Sequence, residues 1–242
     1  MKTEVVAYTH QGTALEGYLA YDDRSKSPRP AILIAHEWFG IGPHERKAAA
    51  RLADAGYLAF AADLYGSAER PQTVEAAAEL ATRYRSGDRA ALRARIAAGL
   101  EFIERHPLCE AGHTAAIGFC FGGTAVLELA RAGADTLGVV SVHGGLAPSN
   151  ASRAPRIRAR VLALHGADDP YVPGDQVRDF QEEMRSRSVD WQMVYYGGTV
   201  HSFTNEGAGT DPSQGAAYNA RSTARAWRAS LDFFSELFSA EN

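Results

Sequence analysis

Cysteine is almost missing: Cys109 and Cys120 are the only two in 242 residues. Two cysteines in a chain of this length make no disulfide framework, so a reducing cytoplasm is the expected setting. A free thiol there is either buried filler or a reagent. Long apolar runs are missing too. None reaches the roughly 18 residues needed to span a bilayer, and the stretch MKTEVVAYTHQG lacks the apolar centre of a secretory signal. No membrane partner is expected. Neither sign of charge is in large excess, since the net charge is −4. That balance gives no electrostatic reason to expect nucleic acid. Internal repeats and low-complexity tracts are absent as well.

What is present is apolar content of 45 %, ample for a core. The length fits one α/β domain, so 1–242 reads as a single unit. Two alternating runs, EVVAYTH and ALEGYLAY, flank QGT and predict an antiparallel hairpin at a sheet edge. YDDRSKSPRP then reads as a surface loop. Five continuous apolar runs follow: AILIAHE, YLAFAADLYG, HTAAIGFC, LGVVSVHGG and RVLALHGAD. Such runs fit strands covered on both faces, as in a parallel sheet. DWQMVYYGG is a last strand. Helical patterns lie between, at 43–55, 74–104, 124–131 and 173–187, and a long amphipathic one at 214–238 closes the chain. Strand alternating with helix predicts a doubly wound α/β fold: a mostly parallel central sheet, helices on both faces and antiparallel N-terminal strands. Ligands in such sheets sit beyond the carboxyl ends of the strands.

The chemistry-bearing motifs fall at those ends. Gly118 to Gly123 reads GFCFGG, which has the spacing of a strand-turn-helix nucleophile elbow with Cys120 at its centre. The glycines have a steric reason, because a sharp turn leaves no room for β-carbons. The helix that follows points its N-terminal dipole at the thiol, which favours thiolate. The amide of Phe121 is placed to donate to a developing oxyanion. Cys109, just after Pro107, has no such context and reads as structural. A nucleophile needs a base oriented by a third group, in the order nucleophile, acid, histidine. LHGADDPYVP supplies Asp168 or Asp169, with Asp169 preferred, and GGTVHSF supplies His201. His143 and His165 end strands before glycines, where they line a pocket rim or satisfy backbone groups. His36 is expected to face away from Glu37, as neighbours on a strand do.

With Cys120 in GFCFGG, Asp169 in DDPYVP, His201 in HSF, Glu37 in HEWFG and the segment ADLYG, the chain resembles the dienelactone hydrolase family of α/β-hydrolases over nearly its whole length. The resemblance implies Cys120 as nucleophile, His201 as base and Asp169 as its orienter. It also implies an oxyanion hole from the amides of Trp38 and Phe121, and Glu37 as a gate that contacts the resting thiol. A monomer is the default for the family. One position departs. Members that act on the anionic dienelactone carry arginine in H-S-F-x-R, and here that position is Asn205. A second arginine of those members has Arg70, Arg83 and Arg85 as candidates, none of them alignable. Losing one arm of a carboxylate clamp weakens recognition of an anion. Trp38, Phe39, Tyr171 and Phe203 flank the expected site and suggest an apolar pocket. The segment from Leu146 to Ala159 is too short for a lid domain.

A cysteine nucleophile forms a thioester intermediate. The first expectation is therefore hydrolysis of small activated carboxylic esters or lactones, with no metal and no cofactor. An uncharged phosphotriester is an alternative substrate, passing through S-phosphorylated Cys120. A third possibility, from another class, is a ligand-binding or redox-sensing protein that uses Cys120 without turnover.

Overall fold

The computed structural model describes residues 1–149 and 155–239. Part of the connection expected to carry no lid, residues 150–154, lies outside them. The chain opens with β1 (Lys2–His10) and β2 (Thr13–Tyr21), an antiparallel hairpin turned by Gln11 and Gly12 at φ 48° and 78°. Positive φ at both turn residues matches the twist of the flanking strands. There follow β3 (Arg29–Ala35), α1 (Pro43–Asp54), β4 (Leu58–Ala62), α2 (Val74–Arg85) and α3 (Ala90–Glu104). Next come β5 (Cys109–Phe119), α4 (Phe121–Arg131), β6 (Gly138–Val142) and β7 (Arg160–Gly166). The last elements are α5 (Gly174–Ser186), β8 (Trp191–Tyr196) and α6 (Ala220–Ser239).

Among the described residues eight strands form one sheet in the order β1-β2-β4-β3-β5-β6-β7-β8, parallel from β4 to β8. Period-two alternation explains why apolar runs become central strands. Leu33 and Ala35 of β3 pack into one core with α2, α3, α4 and α5. Ile32 and Ile34 pack into the other, with α1 and α6. From β3 the chain moves to β4 on one side, then crosses back to β5 on the other. The switch point therefore lies between the carboxyl ends of β3 and β5, where a crevice opens. Glu37 follows β3 there and Cys120 follows β5.

Two helical expectations change. The pattern over 74–104 is two helices, not one. Ser86, Gly87 and Asp88 break it, with Gly87 at φ 62° and Arg89 at φ 56°. The closing helix begins at Ala220 instead of 214. Pro212–Gln214 makes a 3-10 turn, and Gly215 at φ 80° ends it.

The glycines around Cys120 are required by close approach. A β-carbon on Gly118 would lie 2.0 Å from the Gly122 carbonyl oxygen, and one on Gly122 would lie 2.1 Å from that of Ala35. Both obstacles are backbone and cannot swing aside. Gly118→Ala is expected to cost more than about 3 kcal/mol of stability, read as the shift in a urea unfolding curve.

Candidate active site

Cys120 sits between β5 and α4 with φ 51° and ψ −111°. A non-glycine residue held there costs about 1–3 kcal/mol and persists only where surrounding contacts over-determine it. Those contacts are visible. The Cys120 N–H is shared between the Val142 carbonyl at 3.0 Å and Nδ1 of His143 at 3.1 Å. The Cys120 carbonyl accepts from Gly123 N–H at 3.0 Å and Thr124 N–H at 3.3 Å. Phe121 is the first residue of α4, so its N–H has no partner within the helix.

His201 comes from the loop after β8, Asp169 from the loop after β7. Nδ1 of His201 lies 2.7 Å from Oδ2 of Asp169. Both are buried. Asp169 is fixed in turn, its Oδ1 accepting from the Tyr171 N–H at 2.9 Å. Asp168 is exposed and takes no part, its N–H donating to the Thr199 carbonyl. A backbone strap secures the histidine. His201 N–H donates to the Gly215 carbonyl at 3.2 Å, and Ala217 N–H returns to the His201 carbonyl at 3.0 Å. Asn219 N–H adds a bond to Phe203. This strap is why α6 starts late, and nothing in its periodicity announces it. Burial by itself would lower the imidazole's pKa. The neighbouring Cys120 sulfur, by charge and hydrogen bonding, and Asp169 outweigh it and raise His201 to about 10.

Glu37 is buried at the end of β3. Burial, then the nearby Glu45 carboxylate, raises it to about 8 against the opposing pull of Asn205 and His201. Its Oε2 accepts from the Asn205 amide. Its Oε1 has no hydrogen-bond partner among the described residues. The contact expected from Glu37 to the thiol is thus replaced, in this structure, by one to Asn205. The Glu37 N–H donates to Glu45 Oε1 at 3.0 Å, while Glu45 Oε2 caps α1 through Gly42 N–H at 2.7 Å. His36 does face away from the Glu37 side chain. Its Nε2 accepts from Leu64 N–H at 3.1 Å, so its Nδ1 carries the hydrogen and donates to the Glu37 carbonyl at 2.6 Å. That bond fixes the peptide whose N–H belongs to Trp38.

The raised Glu37 has a consequence for stability. The folded chain keeps a proton on Glu37 that the unfolded chain has lost between about pH 4.5 and about pH 8. Stability from this group is therefore greatest below that window and falls as pH rises through it. Glu37→Gln removes the dependence. Relative to the wild type, the variant is expected to gain stability as pH climbs from 4.5 to 8; urea midpoints at both ends measure it.

A cavity of about 750 Å³ opens beside Glu37, Trp38, Phe39, Ser202 and Asn205 and extends over α1 to Trp227. Cys120, His201 and Asp169 are not among the residues that line it. Phe39 is 42 % exposed at its edge and packs on Trp38. Tyr171 is 60 % exposed and sets its ring edge-on to His201 at 5.2 Å. Phe203 is a correction: it is fully buried against His143 and Tyr196 and is not among the residues lining this cavity. Arg83 is another. It stands exposed on α2, paired to Glu69 at 3.0 and 3.1 Å. Arg70 is held by buried Asp63 at 3.0 Å, and Arg85 is exposed. Cys109 has its thiol pushed up to about 11 by burial and then by Glu104 and Glu110, so it stays protonated. Thr204, bound to His143, is the polar neighbour that sequence reasoning missed.

Residues 15–238 match the dienelactone hydrolase family. The crystal structure of a dienelactone hydrolase-like promiscuous phosphotriesterase from metagenomic libraries is 41 % identical, with TM-score 0.92 and 98 % of each chain covered. A structure titled m3DLH is 40 % identical with TM-score 0.93, covering 98 % of this chain and 99 % of that one. A protein of Aquifex aeolicus provisionally named carboxymethylenebutenolidase is 24 % identical over 96 % of this chain and 97 % of its own.

Proposed function

The chain belongs to the dienelactone hydrolase family, and from that premise we propose that it hydrolyses small carboxylic esters or lactones through an acyl-Cys120 intermediate. The observation that carries this reading is the 2.7 Å bond from His201 to Asp169 beside a cysteine held at φ 51° on the tip of a helix. With Nδ1–H donating to Asp169, Nε2 is the free nitrogen that accepts the Cys120 proton. The thiolate attacks the ester carbonyl, and the carbonyl π-pair moves to oxygen. The N–H groups of Trp38 and Phe121 receive that oxyanion. On collapse the C–O bond breaks, and the imidazolium protonates the departing alkoxide. Water, deprotonated by His201, then attacks the thioester. The carboxylic acid leaves and the thiol regains its proton. Asn205 holds Glu37, which supports a resting thiol that turns to His201 in place of the glutamate.

The test is hydrolysis of 4-nitrophenyl acetate with intact-mass measurement of the quenched enzyme. One acetyl group on Cys120, and no turnover by Cys120→Ala, is the expected result. Full activity of Cys120→Ala sinks the reading, and a wild-type protein that releases no 4-nitrophenol marks a thiol sensor without turnover instead.

A second reading rests on the likeness to the promiscuous phosphotriesterase and on the neutral Asn205 beside Glu37. An uncharged aryl phosphotriester presents no charge to repel the thiolate. Attack of sulfur on phosphorus expels the aryl oxide and leaves an S-phosphorylated cysteine, which water then cleaves. A dialkylphosphoryl adduct on Cys120 during turnover supports it; no adduct and no aryl oxide release ends it.

A further inference from the structure

The ring of His143 touches both halves of the machinery. It lies just past β6, fully buried, at φ 40°. Its Nδ1 accepts the backbone N–H of Cys120 at 3.1 Å. An accepting Nδ1 leaves the hydrogen on Nε2, which lies 2.8 Å from Oγ1 of Thr204 and donates to it. Thr204 is three residues beyond His201 on the same loop. The threonine hydroxyl has its own hydrogen to give, and Nε2 of His44 on α1 stands 3.4 Å away. The bonds thus run in one sense, from Cys120 N–H through His143 and Thr204 to His44. Aromatic rings close the space around the imidazole. Phe203 meets it at 5.1 Å and 81°, and His201 at 5.3 Å and 61°.

We propose that His143 is a positioning residue that sets the span between Cys120 and His201, one imidazole clamping the nucleophile's turn and the base's loop together. The inference rests on Cys120 being the nucleophile and His201 its base. Three observations support it beyond packing. A histidine at φ 40° is strained, and such strain persists where contacts over-determine it. Both ring nitrogens are used, each on a different half of the site, so the ring fixes a distance and not only an orientation. The bridge also demands a neutral ring, because an imidazolium has no acceptor for the Cys120 N–H. Burial, and then the charges of His201 and His44, hold His143 well below its ordinary value, so it stays neutral. A thiol and a base must meet within hydrogen-bond reach, and a small error in their spacing is costly.

The test removes one end of the clamp at a time. Thr204→Val keeps the shape and deletes the acceptor for Nε2–H; Thr204→Ser restores a hydroxyl. His143→Asn tolerates positive φ and keeps an acceptor near Cys120, but is too short to reach Thr204. The readouts are kcat and KM on 4-nitrophenyl acetate, the rate of Cys120 alkylation by iodoacetamide, and thermal unfolding. Thr204→Val and His143→Asn are expected to lower kcat about 10- to 100-fold with KM little changed. Alkylation slows in both, because the imidazole no longer stands against the thiol. Thr204→Ser returns kcat close to the wild type. A folded Thr204→Val with wild-type kcat and alkylation overturns the clamp; should that variant fail to fold, the same result in His143→Asn does so. A lowered melting temperature with unchanged kcat marks a merely structural bond and overturns it equally. Cys120→Ala runs alongside: its retained activity would overturn the underlying reading, whereas its inactivity beside an unaffected Thr204→Val removes the clamp alone.

Discussion

Cys120→Ser is expected to lower kcat on 4-nitrophenyl acetate on the order of 10³-fold, with thermal unfolding little changed. Sulfur and oxygen ask different things of the same imidazole. A thiol ionises near neutral pH, so His201 has only to share its proton. An alcohol does not ionise there, and general-base help must then be delivered at full strength in the transition state. Burial lowers His201, but the Cys120 sulfur and Asp169 outweigh it and raise the imidazole to about 10, which favours an imidazolium at this site. The start of α4 adds its dipole from the other side. A serine hydroxyl at this turn draws on neither effect before attack begins. Burst kinetics check the assignment, since a stable acyl-serine would show full first-turnover release of 4-nitrophenol followed by stalling. Turnover by Cys120→Ser near that of the wild type would contradict the tuning.

How much of this was legible in the chain depended on range. The apolar runs at β3, β5, β6 and β7 declared themselves because a strand buried on both faces is apolar at every position. The hairpin was legible from the two alternating runs on either side of QGT, while the positive φ of Gln11 was not, since glutamine does not favour it. The elbow was readable from its spacing, since its three glycines avoid contacts of 2.0, 2.1 and 2.7 Å that a β-carbon would make. What was not readable needs partners far away in sequence. Thr204 looks like any loop threonine until His143, 61 residues earlier, is brought to it. The strap at 215–219 bonds to 201 and 203 through backbone alone, and backbone bonding leaves no mark on residue type. Arg83 was a reasonable candidate by charge, but Glu69 lies within its reach on the preceding loop. Phe203 was assigned to the pocket by its closeness to His201 in sequence. The turn at Ser202, with φ 52°, instead leaves its ring buried against His143 and Tyr196.

Asp169→Asn is expected to lower kcat by about 10⁴-fold, while Asp168→Asn leaves it unchanged. The two aspartates are adjacent in sequence, yet only Asp169 is buried, and it lies against His201. Its oxygen stands 2.7 Å from Nδ1 of His201, where a carboxylate can only accept. That fixes one hydrogen on Nδ1 and turns Nε2 towards the thiol, with which it shares the second proton. An asparagine amide can instead present N–H to Nδ1. The hydrogen then moves to Nε2, and the base faces Cys120 with a donor where an acceptor is needed. The same pair predicts a pH signature in stability. Folding raises His201 from 6.5 to about 10, so the folded chain holds a proton through that window that the unfolded chain has released. Stability from this source is present in full below pH 6.5 and is lost as pH rises towards 10. Asp169→Asn removes one of the two partners that raise the imidazole, so its deficit in unfolding free energy should be largest near pH 6 and shrink towards pH 10. A deficit that stays constant across that range would mean that Asp169 acts on His201 by shape alone, and the loss of kcat would then need an explanation other than the tautomer.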